Sequence, residues 1–207
     1  MSVFVVILSA ITTFVATAID ELVVLTIIFA VIKDKDDIKK VYLGQQLGML
    51  VILGISLLAV FGITLLPRSY IGLLGLIPIV QGLRIFIIGD DDDDDYDKND
   101  IIKKIGRFGN LTLSVSIIAI AGAAEELVIY IPYFSSLNNY NLWLTILIFN
   151  LLVPVWVSIC RRLASHKNIQ EIIEKYERFL IPIVLIVIGV FVLVENNTVE
   201  MLIGLFH

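Results

Sequence analysis

Two acidic residues, Asp20 and Glu21, sit in the middle of an apolar run that extends from Val3 to Ile32. The octad around them is Ala18-Ile19-Asp20-Glu21-Leu22-Val23-Val24-Leu25. It recurs as Ala123-Ala124-Glu125-Glu126-Leu127-Val128-Ile129-Tyr130, again inside an apolar run, Leu111 to Phe134. Such runs are long enough to cross a bilayer, whose hydrocarbon core takes about 20 helical residues. A carboxylate held at that depth costs roughly 2.5–3.5 kcal/mol on insertion scales. Two such pairs at matching places are expected to be functional. The chain must fold so that they face protein, water or a cation rather than lipid.

Six apolar runs can be marked, at about 3–32, 41–66, 70–88, 111–134, 141–160 and 179–195. They predict an all-α membrane protein of six transmembrane helices; barrel strands would alternate over about ten residues instead. The chain is 58% hydrophobic, with a mean hydropathy of +0.96, against roughly 45–50% apolar in soluble domains. Little is left for a soluble domain, so residues 1–207 are expected to form a single transmembrane domain. The first run exceeds what a bilayer needs, and it is expected to tilt or to break near its acids. Met1-Ser2-Val3-Phe4 carries no basic n-region, so this run is expected to be a retained span.

Basic residues set the expected orientation. Lys33, Lys35, Lys39 and Lys40 lie between runs one and two. Arg84, Lys98, Lys103, Lys104 and Arg107 lie around the connection from three to four. Arg161, Arg162, Lys167, Lys175 and Arg178 lie between five and six, and only Arg68 falls in the other connections. The positive-inside rule then puts the three basic connections in the cytoplasm and both termini outside.

The repeat extends beyond the octads. Leu76-Ile77-Pro78-Ile79-Val80 matches Leu180-Ile181-Pro182-Ile183-Val184, and Gln45 falls on Asn150. Each half holds three spans, and an odd number makes the two copies run in opposite directions. Two inverted three-helix repeats are expected, about 1–88 and 106–207, joined by an acidic cytoplasmic linker at about 89–105. In secondary transporters of this plan the binding site lies at the midplane, between the halves.

Other features bound the function. The net charge of −5 argues against nucleic acid as a partner. No Walker A motif and no HExxH occurs, which disfavours ATP-driven pumping and zinc proteolysis, and the chain is not expected to be an enzyme. The run Asp90 to Asp95, with Asp97 and Asp100, fails the EF-hand template, having Asp95 and Ile101 where Gly and Glu belong. It is expected to be a solvated linker. Ile169, Ile172, Ile173, Tyr176 and Leu180 recur at helical spacing between charged residues, predicting an amphipathic stretch along the inner surface. Cys160 is the only cysteine and excludes an internal disulfide; it is expected to be a buried apolar filler. His166 and His207 are expected to be surface residues.

The polar residues at membrane depth are Asp20, Glu21, Gln45, Gln46, Glu125, Glu126 and Asn150, with no Lys or Arg at comparable depth. Without a fixed counter-charge the acids cannot all stay ionised in a low-dielectric site. Protons or a cation must neutralise them, which is the chemical basis of metal-for-proton exchange. Adjacent helix positions point about 100° apart, so one acid of each pair faces the site and the other a neighbouring helix. Gln45, Gln46 and Asn150 can give neutral oxygens to the ion or simply join helices. Oxygen ligands suit Mg²⁺, Ca²⁺ or Mn²⁺, and Zn²⁺ and Cd²⁺ also accept carboxylates. Met49, one turn after Gln45, offers a thioether. Pro132 and Pro154 each free a carbonyl within a span.

Several pieces of the chain resemble the cadmium resistance transporter family, of the lysine-exporter superfamily. They are Ala16-Thr17-Ala18-Ile19-Asp20, Tyr42-Leu43-Gly44-Gln45, Leu73-Leu74-Gly75-Leu76-Ile77-Pro78-Ile79, Tyr130-Ile131-Pro132-Tyr133-Phe134 and Glu195-Asn196-Asn197-Thr198. The resemblance implies a prokaryotic inner-membrane exporter of cadmium or a related divalent cation, with no permanently bound cofactor and intramembrane acids as the ion site. It carries over Asp20, Gln45 and Glu125 as ion-site positions; with the repeat, it makes Asp20 and Glu125 the first choice of ion ligands and Glu21 and Glu126 the second, as proton carriers. Glu125-Glu126 stands where the family has Asp-Asn, Gln46 where it has an aromatic residue, and Glu21 where it has an apolar residue or Asp. These departures add carboxylate and leave the ion open. The expected partners are lipid, a divalent cation and protons; a homo-oligomer is compatible with the sequence. Rival functions are export of an organic cation such as a basic amino acid, and a membrane scaffold without transport.

Overall fold

The computed structural model describes residues 3–32, 34–63, 68–88, 109–164, 169–198 and 200–201. The side chains of Asp20, Arg68, Ser69, Ile88, Glu125 and residues 169–181 lie outside that description. So do the Asp90–Asp95 run, Asp97, Asp100, His166 and His207. Among the described residues every regular element is helical. They are α1 (Val3–Thr17), α2 (Ile19–Val31), α3 (Lys35–Ile63), α4 (Arg68–Ile71), a 3₁₀ turn (Gly72–Gly75), α5 (Leu76–Ile88), α6 (Leu111–Ser135), α7 (Asn139–Leu163) and α8 (Ile169–Glu195).

Helix starts follow local chemistry. Asn110, just after Gly109 at φ +62°, accepts from the backbone N–H of Thr112 at 3.0 Å and of Leu113 at 3.5 Å. Asn138 accepts from the N–H of Asn141 at 2.8 Å. Each side-chain oxygen satisfies a donor that the first helical turn leaves orphaned. Asp36 and Asp37 occupy the first turn of α3, where the helix dipole favours acids. They pair with Lys39 and Lys40 at 2.9 and 2.8 Å.

By length and composition α3 and α7 can each cross a bilayer. Two more candidates are bent. Val3–Thr17 and Glu21–Val31 meet at 62°, and within α6 the segments Leu111–Ala124 and Glu126–Ser135 meet at 70°. Gly72–Ile87 and Pro182–Glu195 are shorter apolar helices. The described residues therefore contain two to four candidate spans. Of the tilt or break expected in the first apolar run, the structure has a break, at Ala18, two residues before Asp20. The expected amphipathic stretch and the last apolar run form one continuous helix, α8. Outward faces are apolar: Phe4, Leu58, Phe61, Val80, Ile87 and Leu151 are all exposed. Such a surface suits lipid rather than water.

Two helix pairs form the most extensive contacts, α3 with α6 and α5 with α8. Small residues bring both pairs close, as lipid-embedded helices require when no hydrophobic drive joins them. A Cβ on Gly44 would sit 2.7 Å from the Thr112 carbonyl, and one on Gly48 would sit 2.8 Å from the Ala119 methyl. The Ser116 hydroxyl donates to the Gly44 carbonyl at 2.8 Å across the same seam. In the second pair Gly75 and Gly189 face each other, backbone to backbone, and Gly82 lies against the Pro182 carbonyl. Helices α1 and α2 both pack on α7. After α8 the chain turns at Asn197, φ 54°. Asn196 there donates to the Ser136 hydroxyl and to the Val192 carbonyl, at 2.8 and 2.9 Å.

Candidate ion-binding site

The tripeptide Gly44-Gln45-Gln46 of α3 reaches three other helices. Gly44 accepts from Ser116 of α6. Gln45, which is buried, donates its amide to Oε2 of Glu21 in α2 at 2.5 Å. Gln46 donates to Oδ1 of Asn150 in α7 at 2.8 Å. Successive residues of a helix point about 100° apart, so one turn of α3 can serve three neighbours. Tyr42 adds a second link to α7, its hydroxyl 2.8 Å from that of Ser158.

Glu21 stands at the centre of this arrangement. Its Oε2 takes the Gln45 amide, while Oε1 is shielded from solvent with no hydrogen-bond partner among the described residues. Buried polar atoms are satisfied in the great majority of cases, and an exception calls for a missing ligand, water or proton. Glu126, one of the matching acids, is also buried. It lies one turn before Tyr130, whose hydroxyl reaches that of Thr17 at the end of α1. The structure therefore brings Glu21 to Gln45 and Gln46 to Asn150, with Glu126 buried in α6. The side chains of Asp20 and Glu125 lie outside the described residues. Among the described residues no group of three His, Cys, Asp or Glu side chains could hold a metal ion.

Asn150 carries a further acceptor. Its amide nitrogen donates to the Ile146 carbonyl at 2.8 Å. Pro154, four residues on, has no N–H to give the Asn150 carbonyl, so that oxygen is released from the helical ladder. In α6 the carbonyl that Pro132 frees is that of Val128, while the Pro132 carbonyl itself accepts the Ser135 and Ser136 hydroxyls, both at 2.8 Å, closing the end of that helix.

Trp156, Phe14 and Phe149 carried no sequence signal beyond that of core packing, and Thr17, Tyr130, Tyr133 and Phe134 only that of the family resemblance. The Trp156 indole N–H donates to the Ala18 carbonyl at 3.0 Å, at the break between α1 and α2. The Tyr130 hydroxyl lies 2.7 Å from that of Thr17, and Tyr133 meets Ser9 at 2.8 Å. Phe14 stands edge-on to Phe149 and Trp156, with ring centres 5.5 and 6.3 Å apart, and Tyr130 stacks on Phe134 at 5.5 Å. Cys160 is fully buried, as expected of a filler.

These features define a helical membrane protein with acids and amides gathered inside its bundle. The chain belongs to the cadmium resistance transporter family, whose sequence model matches residues 14–205. No curated protein and no solved structure matches it. The family is one of transporters rather than enzymes, and membership makes cadmium resistance transport the expected activity.

Proposed function

We propose that the protein exports a divalent metal cation, of the cadmium-like kind, in exchange for protons. The ion site comprises Asp20, Glu21, Gln45, Gln46, Glu125, Glu126 and Asn150. The observation that carries this reading is Glu21: a carboxylate inside an apolar bundle, held by one amide, with its second oxygen unsatisfied among the described residues. A proton satisfies that oxygen in one state and a metal ion in the other. Export couples the two, because a carboxylate such as Glu21 cannot stand empty and charged in an apolar interior.

The six-span, inverted-repeat plan completes the proposal, with both termini outside and the acidic linker in the cytoplasm of a prokaryotic cell. Two features support it. Both octads sit at bends of similar size, 62° and 70°. The helix packings are also ones such a repeat would pair: α3 on α6, α7 on both α1 and α2, and α5 on α8. Secondary transporters of this plan form their sites from interrupted helices near the midplane, where the repeats meet.

Proteoliposomes holding a pH-sensitive dye, challenged with Cd²⁺ and then with Zn²⁺, Mn²⁺ and basic amino acids, test the proposal. A divalent ion should drive proton movement, and Asp20→Asn and Glu125→Gln should each abolish it while the protein still inserts. Undiminished flux in both variants would remove the site. Flux driven only by a basic amino acid would replace the metal with an organic cation.

A further inference from the structure

The bend that delivers Asp20 and Glu21 contains neither proline nor glycine. Without those residues, sharp helix kinks arise where another group enters the hydrogen-bond ladder. At this bend the backbone is met from another helix by Trp156, its buried indole N–H lying 3.0 Å from the Ala18 carbonyl, the N-cap carbonyl of α2. Ala18 has no side-chain cap of its own at the start of α2. Thr17, the residue before it, turns its hydroxyl back onto the Thr13 and Phe14 carbonyls at 3.2 and 3.1 Å. Back-bonding of this kind bends helices at the same point. The last turn of α1 is thus tethered to α7 through Trp156 and to α6 through Tyr130.

We propose that Trp156 is a positioning residue. Its indole N–H, given to the Ala18 carbonyl, sets the angle at which α2 leaves α1, and so sets where Glu21 meets Gln45. It acts through the backbone of α1 and not on the ion. The functional consequence rests on the exchange reading above; the geometric one does not.

The test replaces Trp156 with benzothienylalanine, which keeps the ring shape and exchanges the N–H for sulfur. A fluorinated tryptophan, which keeps the N–H, is the control, and Trp156→Phe is a second variant. Spin labels at Leu8→Cys and Val31→Cys, both exposed positions on either side of the bend, report its angle. The one native cysteine, Cys160, is buried and stays unlabelled. The label distance should lengthen or broaden in the sulfur analogue and in Trp156→Phe, and stay unchanged in the fluorinated control. In proteoliposomes the half-saturating Cd²⁺ concentration should rise roughly tenfold or more in the same two variants. Mere loss of folded protein would lower the maximal flux and leave half-saturation where it was. An unchanged label distance, or an unchanged half-saturation, in the sulfur analogue would overturn the proposal. If the unmodified protein moves no metal while the distance still shifts, transport fails and the tether stands.

Discussion

Glu21→Gln is expected to cut metal-for-proton exchange by roughly a hundredfold or more, the free-energy equivalent of about 3 kcal/mol. Glutamine nearly preserves the shape and leaves an oxygen for the Gln45 amide, which donates to Oε2 of Glu21. It removes the charge that draws a cation into an apolar interior and the proton that leaves when the cation arrives. Gln45→Leu should cost less, because the carboxylate remains and only its donor is lost. A hydrogen bond to a charged group contributes about 1.5–3 kcal/mol, so a fall of roughly tenfold to a hundredfold is expected. Gln46→Leu should cost least, since Asn150 keeps its bond to Ile146. Initial rates of dye response in proteoliposomes, corrected for inserted protein, give this order. Equal losses at all three positions, or a larger loss at Gln46 than at Glu21, would contradict the central place given to Glu21.

The largest effect on stability is expected at Gly189→Ala. A Cβ there would collide with the Gly75 carbonyl and stand 2.5 Å from Cγ1 of Ile79 and 3.1 Å from its backbone nitrogen. Two of the three obstacles are backbone, so the helices must separate along a seam between α5 and α8. Overpacking of this kind costs about 1–3 kcal/mol, a lowering of the unfolding midpoint by roughly 5 °C. Gly54→Ala is the matched control, because a Cβ there meets nothing within 4 Å. It should be neutral or slightly stabilising, since alanine favours helix over glycine by about 1 kcal/mol. Thermal unfolding of the two variants in the same detergent compares them directly.

Much of this organisation was legible in the chain because a membrane exaggerates sequence contrast. The acids of both octads stand out against apolar neighbours, and the break in the first run could be expected from its length alone. Asn110 and Asn138, polar residues just outside apolar runs, mark helix starts for the same reason. The partners were harder to read. The repeat aligns Gln45 with Asn150, but the structure pairs Asn150 with Gln46 and gives Gln45 to Glu21. Two adjacent glutamines look alike in a sequence, and only the packed rotation of α3 assigns each to a neighbour. Trp156 was invisible for a different reason. An aromatic residue in an apolar span reads as core, and its single donor gains meaning only beside the Ala18 carbonyl, at the bend. The glycine seam was hidden because Gly189 of α8 lies more than a hundred residues from Gly75, which it faces, and from Gly82.

A thermal-shift titration tests the ion site most directly. Purified protein and its Asp20→Asn/Glu125→Gln variant are titrated with Cd²⁺, Zn²⁺, Mn²⁺, Ca²⁺ and Mg²⁺ at two pH values. A ligand bound only by the folded state stabilises it by about 2.7 kcal/mol at a hundred times its dissociation constant, so the midpoint must climb with concentration. At least one of these ions should raise the midpoint of the unmodified protein, more strongly at the higher pH, where fewer protons compete, and should leave the variant unmoved. A midpoint indifferent to all five ions at both pH values, or one that climbs equally in the variant, would contradict a metal site built from the duplicated acids.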